Sequence, residues 1–228
     1  MSLEILAHKI LESKNFEEFE KNNDSFKNYI QKILFTIEPN INNNHNIIRN
    51  AFDISGLWYI PHYLSDDIIK SIEKKINKIK FEPITNSPNS RLVAHFGYRY
   101  SYDRSGVQPA APIPIDLSNL VSMNDINNMI GEKIIGKEFD QLIINEYKPG
   151  QQISFHTDHT KQFGPIIACI TVGESVPIKF KNGNNIKEIN IETGSIYIMT
   201  CESRYQWQHS LKNNSQGTRY SLTFRTIQ

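Results

Sequence analysis

The chain has 228 residues, and this length predicts one large domain, or one domain with a small extension. Of these residues 39% are hydrophobic and 21% charged, and the formal net charge is +1. This charge excludes a whole-surface field that would drive the chain onto nucleic acid or a membrane. Two cysteines, Cys169 and Cys201, exclude a disulfide scaffold, and no apolar run approaches the ~20 residues that span a bilayer, so we expect an intracellular protein of the cytoplasm or nucleus without membrane association.

The first 46 residues are predicted to form a helical N-terminal extension. Apolar residues recur at helical spacing within residues 2–36, and Pro39–Asn46 has the polar, turn-rich composition of a linker. Charged residues interrupt the first apolar stretch, which is atypical of a secretory signal peptide. We therefore expect the main domain to span residues 47–228, and we expect it to be a monomer.

The main domain is predicted to begin with a strand and a helix, which short strands then follow. Leu57–Tyr63 has the pattern of a strand and turn, and Ser65 precedes two acidic residues as the N-cap of a helix over 66–80. A second helix is predicted over Asp116–Met129. Alternating patterns bounded by Gly, Pro and Asn predict strands at Tyr98–Tyr102, Gln141–Tyr147, Ile153–His156, Ile166–Val172, Ile178–Phe180, Ile186–Ile191, Ser195–Thr200 and Arg219–Thr226. This order favours a mainly β sandwich or jelly roll with flanking helices.

His156 and Asp158 form the first candidate metal site. On a strand, residues two apart point to the same side, so this imidazole and carboxylate would aim at one point. His209, which follows an aromatic-rich segment, is the best candidate for a third ligand, and the neighbouring His159 is a rival. Two histidines and one carboxylate on one face suit non-haem Fe(II), which keeps positions open for dioxygen. The same ligands could instead hold a catalytic zinc.

The last predicted strand carries two arginines on one face. Apolar and polar residues alternate along this strand. One side therefore carries Tyr220, Leu222 and Phe224, and the other carries Arg219, Ser221, Thr223 and Arg225. If the apolar side packs under a helix, the polar side lines the interior, where buried arginines need anionic partners. Because arginine binds carboxylates bidentately, a small dicarboxylate would fit between the two. The alternative is an edge strand whose arginines are solvated.

Several short motifs lie in order between Asn145 and Arg225. They are Asn145–Gly150 (NEYKPG), His156–Asp158 (HTD), Phe163–Pro165 (FGP), Gly194-Ser195, Glu202–Tyr205 (ESRY), His209 and Arg219–Arg225 (RYSLTFR). This stretch resembles the catalytic core of the AlkB-type Fe(II)/2-oxoglutarate dioxygenases. A weaker resemblance extends back to Leu57 and includes His95–Tyr102, which is similar to the segment that covers the substrate in this family. Where the family usually has Ser-Leu-Gly, this chain has Thr171–Gly173 (TVG), a conservative departure.

The resemblance implies a double-stranded β-helix, which is a cupin-like jelly roll, with the catalytic core at about residues 139–228. It implies Fe(II) as cofactor and 2-oxoglutarate and dioxygen as cosubstrates, in a reaction that yields succinate and carbon dioxide and hydroxylates a C–H bond. The implied iron ligands are His156, Asp158 and His209. The implied contacts of 2-oxoglutarate are Asn145, Tyr147, Arg219, Ser221 and Arg225. Arg219 would bind the far carboxylate, and Arg225 would lie near the metal end.

Two segments favour one branch of this family, which hydroxylates the modified wobble uridine of tRNA. They are His95–Tyr98 and Met199–Trp207. Repair members often carry an acidic residue two positions after the metal-binding Asp, where this chain has Thr160. We therefore expect an RNA substrate. The alternatives are oxidative demethylation of alkylated bases in DNA or RNA, and a protein-directed dioxygenase. The predicted substrate-binding residues are Arg91, Arg99, Tyr100, Ser101, Tyr102, Thr160 and Arg204.

Charge and aromatic residues support a nucleic-acid partner. Residues 70–105 hold eight basic and three acidic residues, a net charge of +5, and tyrosines that could stack on bases interleave with the arginines. The alternative is that the lysines only form the solvated face of helix 66–80. Animal members of the branch also carry an RNA-binding module and a methyltransferase domain. Here we expect a separate methyltransferase or RNA-binding partner chain to supply those functions.

Overall fold

The computed structural model describes residues 46–101, 106–131 and 137–228, so nearly all of the predicted N-terminal extension lies outside the described residues. The helices are a 3-10 turn at Ala51–Asp53, α1 (Asp66–Ile76), α2 (Ile115–Ser118), α3 (Met123–Ile130) and α4 (Cys201–Tyr205). The strands are β1 (Leu57–Ile60), β2 (Glu82–Pro83), β3 (Leu92–Phe96), β4 (Tyr98–Ser101), β5 (Gly106–Pro109), β6 (Gln141–Tyr147), β7 (Gln152–His156), β8 (Ile167–Gly173), β9 (Val176–Asn182), β10 (Asn185–Ile191), β11 (Ile196–Met199), β12 (Gln208–Lys212) and β13 (Arg219–Arg225).

Two antiparallel sheets face each other and form a jelly roll. The major sheet has seven strands in the order β1-β11-β8-β13-β6-β3-β2, and the minor sheet has four in the order β10-β9-β12-β7. A separate hairpin, β4-β5, follows β3. In the major sheet the last strand lies between β8 and β6, so β13 is a central strand. The predicted mainly β fold with flanking helices is confirmed.

The major sheet buries a different hydrophobic core on each face. Its outer face packs against the helices, with Ile72 and Ile76 of α1 and Ile126 of α3 in the same cluster as Leu222 and Phe224 of β13. Its inner face packs against the minor sheet in a second cluster, to which β6, β8 and β11 contribute from one side and β9, β10 and β12 from the other. The predicted apolar side of β13 is therefore covered by helices, and its polar side faces the space between the sheets.

The helices differ in detail from the sequence prediction. The stretch predicted as one helix over Asp116–Met129 is two, because Ser122 starts a new helix with a capping box: its hydroxyl accepts the Asp125 backbone N–H, and the Asp125 carboxylate accepts the Ser122 N–H. Helix α1 ends at Ile76, short of the predicted Lys80. None of the helices in the described ranges is long and apolar enough to cross a membrane. Cys169 and Cys201 are both free thiols.

Candidate active site

A cavity of about 400 Å³ opens between the two sheets. Its polar wall comes from alternate positions of two central strands of the major sheet: Asn145 and Tyr147 of β6, and Ser221, Thr223 and Arg225 of β13. These two strands pair with Asn145 opposite Ser221, so their polar side chains stand side by side. The opposite wall comes from β7, β9 and β12 of the minor sheet. The volume is typical of a small-molecule site.

Three side chains that could hold a metal ion, here called the metal-binding group, meet in this cavity. His156, Asp158 and His209 each offer one ligand atom, and these atoms all lie within 4.8 Å of one another. His156 and His209 are opposite each other on the paired strands β7 and β12, with ring centroids 4.2 Å apart. The predicted strand position of Asp158 is wrong, because β7 ends at His156 and Asp158 lies in the loop that follows. The loop nevertheless brings the carboxylate to the imidazoles.

The pairing of β7 with β12 is irregular next to His156. His209 is opposite His156, but Leu211, two residues on, is opposite Ile153, three residues back. One strand thus uses an extra residue, which locally re-aims the side chains. The imidazole of His156 is also oriented by its Nδ1, which lies 2.9 Å from the Ser154 carbonyl oxygen. Since a carbonyl only accepts, the proton is on Nδ1 and the Nε2 lone pair remains available for an ion.

Charge around the metal-binding group is arranged for a cation. Burial opposes ionisation of Asp158, but the Arg225 guanidinium and the two imidazoles outweigh it and hold the pKa of this carboxyl well below its usual range. Burial, together with the neighbouring His156, lowers the pKa of His209 to about 3, and burial also lowers the pKa of His156. At neutral pH the group is therefore one carboxylate and two neutral imidazoles, the protonation state in which these residues bind metals.

The hydrogen bonds of Asp158 show that the group fits a metal ion. Its Oδ1 accepts from Arg225, whereas its buried Oδ2 has no hydrogen-bond partner among the described residues. That oxygen lies 3.6 Å from Nε2 of His209, too far for a hydrogen bond but close enough for both atoms to bind the same ion. A buried carboxylate oxygen without a partner is costly, and a bound cation would remove that cost.

Arg225 connects the metal-binding group to the cavity wall. Besides Asp158, its guanidinium donates to Oε1 of Gln141 at 3.4 Å and lies 4.8 Å from the ring centroid of Phe163. Its Nε is buried and has no partner among the described residues. The arginine thus neutralises the carboxylate ligand and still presents an unused donor beside the site.

The second arginine of β13 is fully buried. Arg219 donates from Nη2 to Oγ1 of Thr171 at 3.0 Å, while its Nε and Nη1 have no hydrogen-bond partner in the described part of the chain. It is not among the cavity-lining residues, but it lies close to two that are, Tyr147 and Tyr197. The predicted inward direction of both arginines is therefore what the structure has. Asn145 accepts a 2.7 Å hydrogen bond from Arg91 Nε through its Oδ1, which leaves its amide N–H groups to face a ligand.

The structure brings only some of the predicted substrate-binding residues to the cavity. Arg91 and Tyr100 line it. The ring of Tyr100 lies 5.4 Å from that of Phe163. Arg99 pairs with Glu82 on an exposed surface, Thr160 is exposed, and neither these two nor Ser101 lines the cavity. Tyr102 lies outside the described residues.

Arg204, which was predicted to contact a substrate, is not among the residues that line the cavity. The residue is 1% exposed, and its guanidinium donates to four backbone carbonyls, those of Asp158, His159, Phe163 and Gly164. Four carbonyls of one loop converge on a single cation, so Arg204 supports the loop that carries Asp158. Sequence alone could not show this, because an Arg in a short polar segment is usually solvent-exposed.

The position of the α1 lysines bears on the two readings that the sequence left open. The apolar residues of α1 pack on the outer face of the major sheet, whereas the cavity lies on the inner face. One of these lysines, Lys75, pairs with Asp116 of α2. The alternative, a solvated helix face, describes these lysines better than a lid over the cavity.

Several cavity residues were not identified from sequence. Thr223 was placed on the polar side of β13 with Ser221 and Arg225, but it was not predicted to contact a ligand, although it lines the cavity. Tyr197 and Met199 also line the cavity, but all four residues of β11 are buried, so no alternation indicated which two face inward. The aromatic ring of Phe163 was noted only as part of a motif.

Comparisons with known proteins agree with this geometry. Residues 45–225 match the 2OG-Fe(II) oxygenase superfamily. The chain is 29% identical over 197 residues to an uncharacterized protein of Acanthamoeba polyphaga mimivirus, covering 79% of this chain and 89% of that protein. It is 30% identical over 160 residues to the tRNA (carboxymethyluridine(34)-5-O)-methyltransferase ALKBH8 of Mus musculus, covering 68% of this chain but only 24% of that protein.

A solved structure has the same fold. The structure of OsALKBH1 superposes with a TM-score of 0.62 at 16% identity, covering 75% of this chain and 96% of that chain. The predicted cofactors, Fe(II), 2-oxoglutarate and dioxygen, are those of the matched superfamily, and the His-Asp-His group is compatible with them. The chain therefore belongs to the 2OG-Fe(II) oxygenase superfamily and is a 2-oxoglutarate-dependent dioxygenase of AlkB type.

Proposed function

We propose that this dioxygenase hydroxylates a nucleic-acid substrate, and that the substrate is a modified uridine in tRNA. The observation that carries the proposal is the similarity over 68% of the chain to ALKBH8, whose name places its action on carboxymethyluridine of tRNA. Because the match spans 24% of that protein, we propose only the oxygenase step for this chain. The methyl transfer in the relative's name would fall to a separate partner.

The proposed iron ligands are His156, Asp158 and His209. Their roles follow from the contacts: Ser154 fixes the tautomer of His156, Arg225 holds one carboxylate oxygen of Asp158, and the other oxygen is left for the ion. Arg204 holds the backbone of the Asp158 loop, so the carboxylate is positioned before the ion binds. When bound, the iron supplies the oxidative chemistry that decarboxylates 2-oxoglutarate and hydroxylates a substrate C–H bond.

The proposed 2-oxoglutarate contacts are Asn145, Tyr147, Ser221, Arg219 and Arg225. Arg225 lies beside Asp158, and Arg219, at the opposite end of β13, has two unused donors. The amide of Asn145 donates from the side wall because Arg91 takes its oxygen. A dicarboxylate in this position would meet two unused donors of Arg219 and one of Arg225, and guanidinium groups are suited to binding carboxylates.

The lining of the cavity supports a planar substrate. Tyr100 of the β4-β5 hairpin, Arg91 and His159 line the cavity, and the ring of Tyr100 packs 5.4 Å from that of the buried Phe163. Aromatic rings and a guanidinium are the groups on which unstacked bases are held. A uridine in an anticodon loop reaches such a site with little unstacking cost.

The test is mass spectrometry of tRNA nucleosides after incubation with the enzyme, Fe(II) and 2-oxoglutarate. We expect a modified uridine to gain one oxygen atom, and we expect no gain with Asp158→Ala. The substrate should be tRNA purified from cells that lack such an activity, so that the target is not already oxidised. Release of formaldehyde from oligonucleotides bearing 1-methyladenine or 3-methylcytosine, with no oxygen added to any uridine, would contradict the proposal and indicate a demethylase. Oxygen incorporated into protein alone would also contradict it.

A further inference from the structure

The surroundings of Arg219 show that its end of the cavity is built for an anion. Two of its nitrogens have no hydrogen-bond partner among the described residues, although the side chain is fully buried. The thiol of Cys169 and the hydroxyls of Tyr197, Tyr147 and Tyr59 lie near its guanidinium. Burial raises the pKa of both Cys169 and Tyr197, so these groups are neutral. A buried cation among neutral groups requires an anion from elsewhere.

Only two of the three tyrosines near Arg219 are among the residues that line the cavity. Tyr147 and Tyr197 both line the cavity, whereas Tyr59 is not among the lining residues and its hydroxyl accepts the backbone N–H of Glu192 at 3.4 Å. Tyr147 belongs to the proposed contacts of 2-oxoglutarate already. Tyr197 is the additional hydroxyl that lies both close to Arg219 and on the cavity wall.

Tyr197 is held rigidly but its hydroxyl has only a weak partner. It is 5% exposed, lies opposite Cys169 in the pairing of β11 with β8, and meets the ring of Phe180 edge-on at 6.3 Å between centroids. Its hydroxyl donates to the sulfur of Cys169, which is a poor acceptor. A carboxylate oxygen is a much stronger acceptor, so the hydroxyl would exchange the thiol for an anion without moving its ring.

We propose that Tyr197 is a further cosubstrate-binding residue, whose hydroxyl donates to the far carboxylate of 2-oxoglutarate beside Arg219. The inference rests on the proposed role of Arg219. Tyr197 would then help the site to bind 2-oxoglutarate more tightly than 2-oxo acids that lack the second carboxylate. A hydrogen bond to an ionised group in a desolvated site corresponds to an affinity contribution of about 10- to 100-fold.

The experiment measures binding to the Mn(II)-loaded protein, in which no turnover occurs. The variants are Tyr197→Phe, which removes only the hydroxyl, and Tyr59→Phe as the matched control in the same cluster. Each is titrated with 2-oxoglutarate and with 2-oxopentanoate, which has a methyl group in place of the far carboxylate. Water-proton relaxation of the bound Mn(II) reports binding even at millimolar ligand.

We expect Tyr197→Phe to weaken 2-oxoglutarate binding about 10- to 100-fold and to change 2-oxopentanoate binding less than about threefold. Tyr59→Phe should leave both affinities within about threefold. Unchanged 2-oxoglutarate affinity in Tyr197→Phe, or an equal loss for both ligands, would overturn the inference. Tyr197→Leu, with its melting temperature measured beside the wild type, provides a second variant with the same expected discrimination.

Arg219→Lys separates this inference from the proposed function. Lysine keeps the charge but loses the planar pair of donors, so 2-oxoglutarate affinity should fall if Arg219 binds the carboxylate. If Arg219→Lys binds 2-oxoglutarate normally, the proposed cosubstrate site itself is wrong. If Arg219→Lys weakens binding and Tyr197→Phe does not, only the role of Tyr197 is wrong.

Discussion

Substitution of Arg204 by methionine should destabilise the fold without a direct effect on substrate contacts. The guanidinium donates four hydrogen bonds, at 2.9–3.2 Å, to the carbonyls of the loop between Asp158 and Gly164. Methionine fills much of the same volume but donates nothing, so the buried carbonyls lose their partner at about 1–3 kcal/mol each before relaxation and water entry. With that relaxation, we expect a net loss of about 3–5 kcal/mol in the free energy of unfolding.

The expected loss is large enough to measure directly. For a domain of about 150–250 residues, 1 kcal/mol corresponds to about 2–4 °C in melting temperature, so Arg204→Met should melt about 6–20 °C below the wild type. Urea denaturation gives the free energy independently, and Mn(II) titration should show weaker binding because the Asp158 loop is less well held. The matched control is Arg99→Met, which breaks an exposed pair with Glu82 whose side chains are each 49% exposed. That change should cost less than about 1 kcal/mol.

The result that would refute this reasoning is specific. If Arg204→Met retained its unfolding free energy and Mn(II) affinity but bound tRNA more weakly, Arg204 would be a substrate contact after all. If Arg99→Met were as destabilising as Arg204→Met, the difference in burial between the two arginines would not be the cause.

Three further predictions follow from other parts of the site. His209→Ala should weaken Mn(II) binding at least about 100-fold, whereas His159→Ala should change it less than about threefold, because the Nδ1 of His159 already accepts backbone N–H groups of its own loop. Isothermal titration calorimetry measures both affinities, and the reverse order would make His159 the ligand. Gly97→Ala should lower the free energy of unfolding, measured by urea denaturation, by about 2–4 kcal/mol, because Gly97 has a φ of +71° and an added Cβ would lie 1.9 Å from the Asp140 carbonyl oxygen. If the variant kept the wild-type urea midpoint, the β3-β4 connection would be able to shift at no cost. Burial and the nearby Arg99 and Arg225, opposed by Glu82, lower the pKa of His95 to about 4, so between about pH 6.5 and 4 the imidazole is protonated in the unfolded chain but not in the folded chain. The free energy of unfolding should therefore fall as the pH drops through that window, and it should fall less in His95→Asn. Equal shifts of the urea midpoint between pH 7.5 and 5 in the two proteins would exclude His95 as a source of the acid sensitivity.

Much of the site could be predicted because its signals are local. The alternation along Arg219–Arg225 placed both arginines on the polar side of a strand, and the structure has that side facing the cavity and the apolar side under helices. The same holds for Asn145 and Tyr147, two positions apart on β6 and both in the cavity wall. The alternation of side chains between the two faces is a property of the extended backbone, so it does not depend on what the strand packs against.

Other features depend on partners that are distant in sequence. Arg204 is buried only because a loop some 40 residues away presents four carbonyls to it. Tyr197 is in a strand without alternation, so only the sheet order decides that it faces the cavity beside Arg219. The sequence left open whether the lysines of α1 serve a nucleic-acid partner or form a solvated helix face, and only the packing of α1 on the outer face of the major sheet bears on that choice.

The sequence by itself determined the kind of strands and the family, and it predicted which residue types could hold a metal, since each depends on short motifs and on backbone periodicity. Only the tertiary structure decided how Asp158 reaches the metal-binding group, because its carboxylate comes from a loop rather than a strand. It also decided that His156 and His209 lie opposite each other on paired strands, and that Arg204 and Arg219 are buried among groups from other strands and loops. The physical reason is the same in each case: burial and pairing are set by what folds against a residue, and a local pattern carries no record of that.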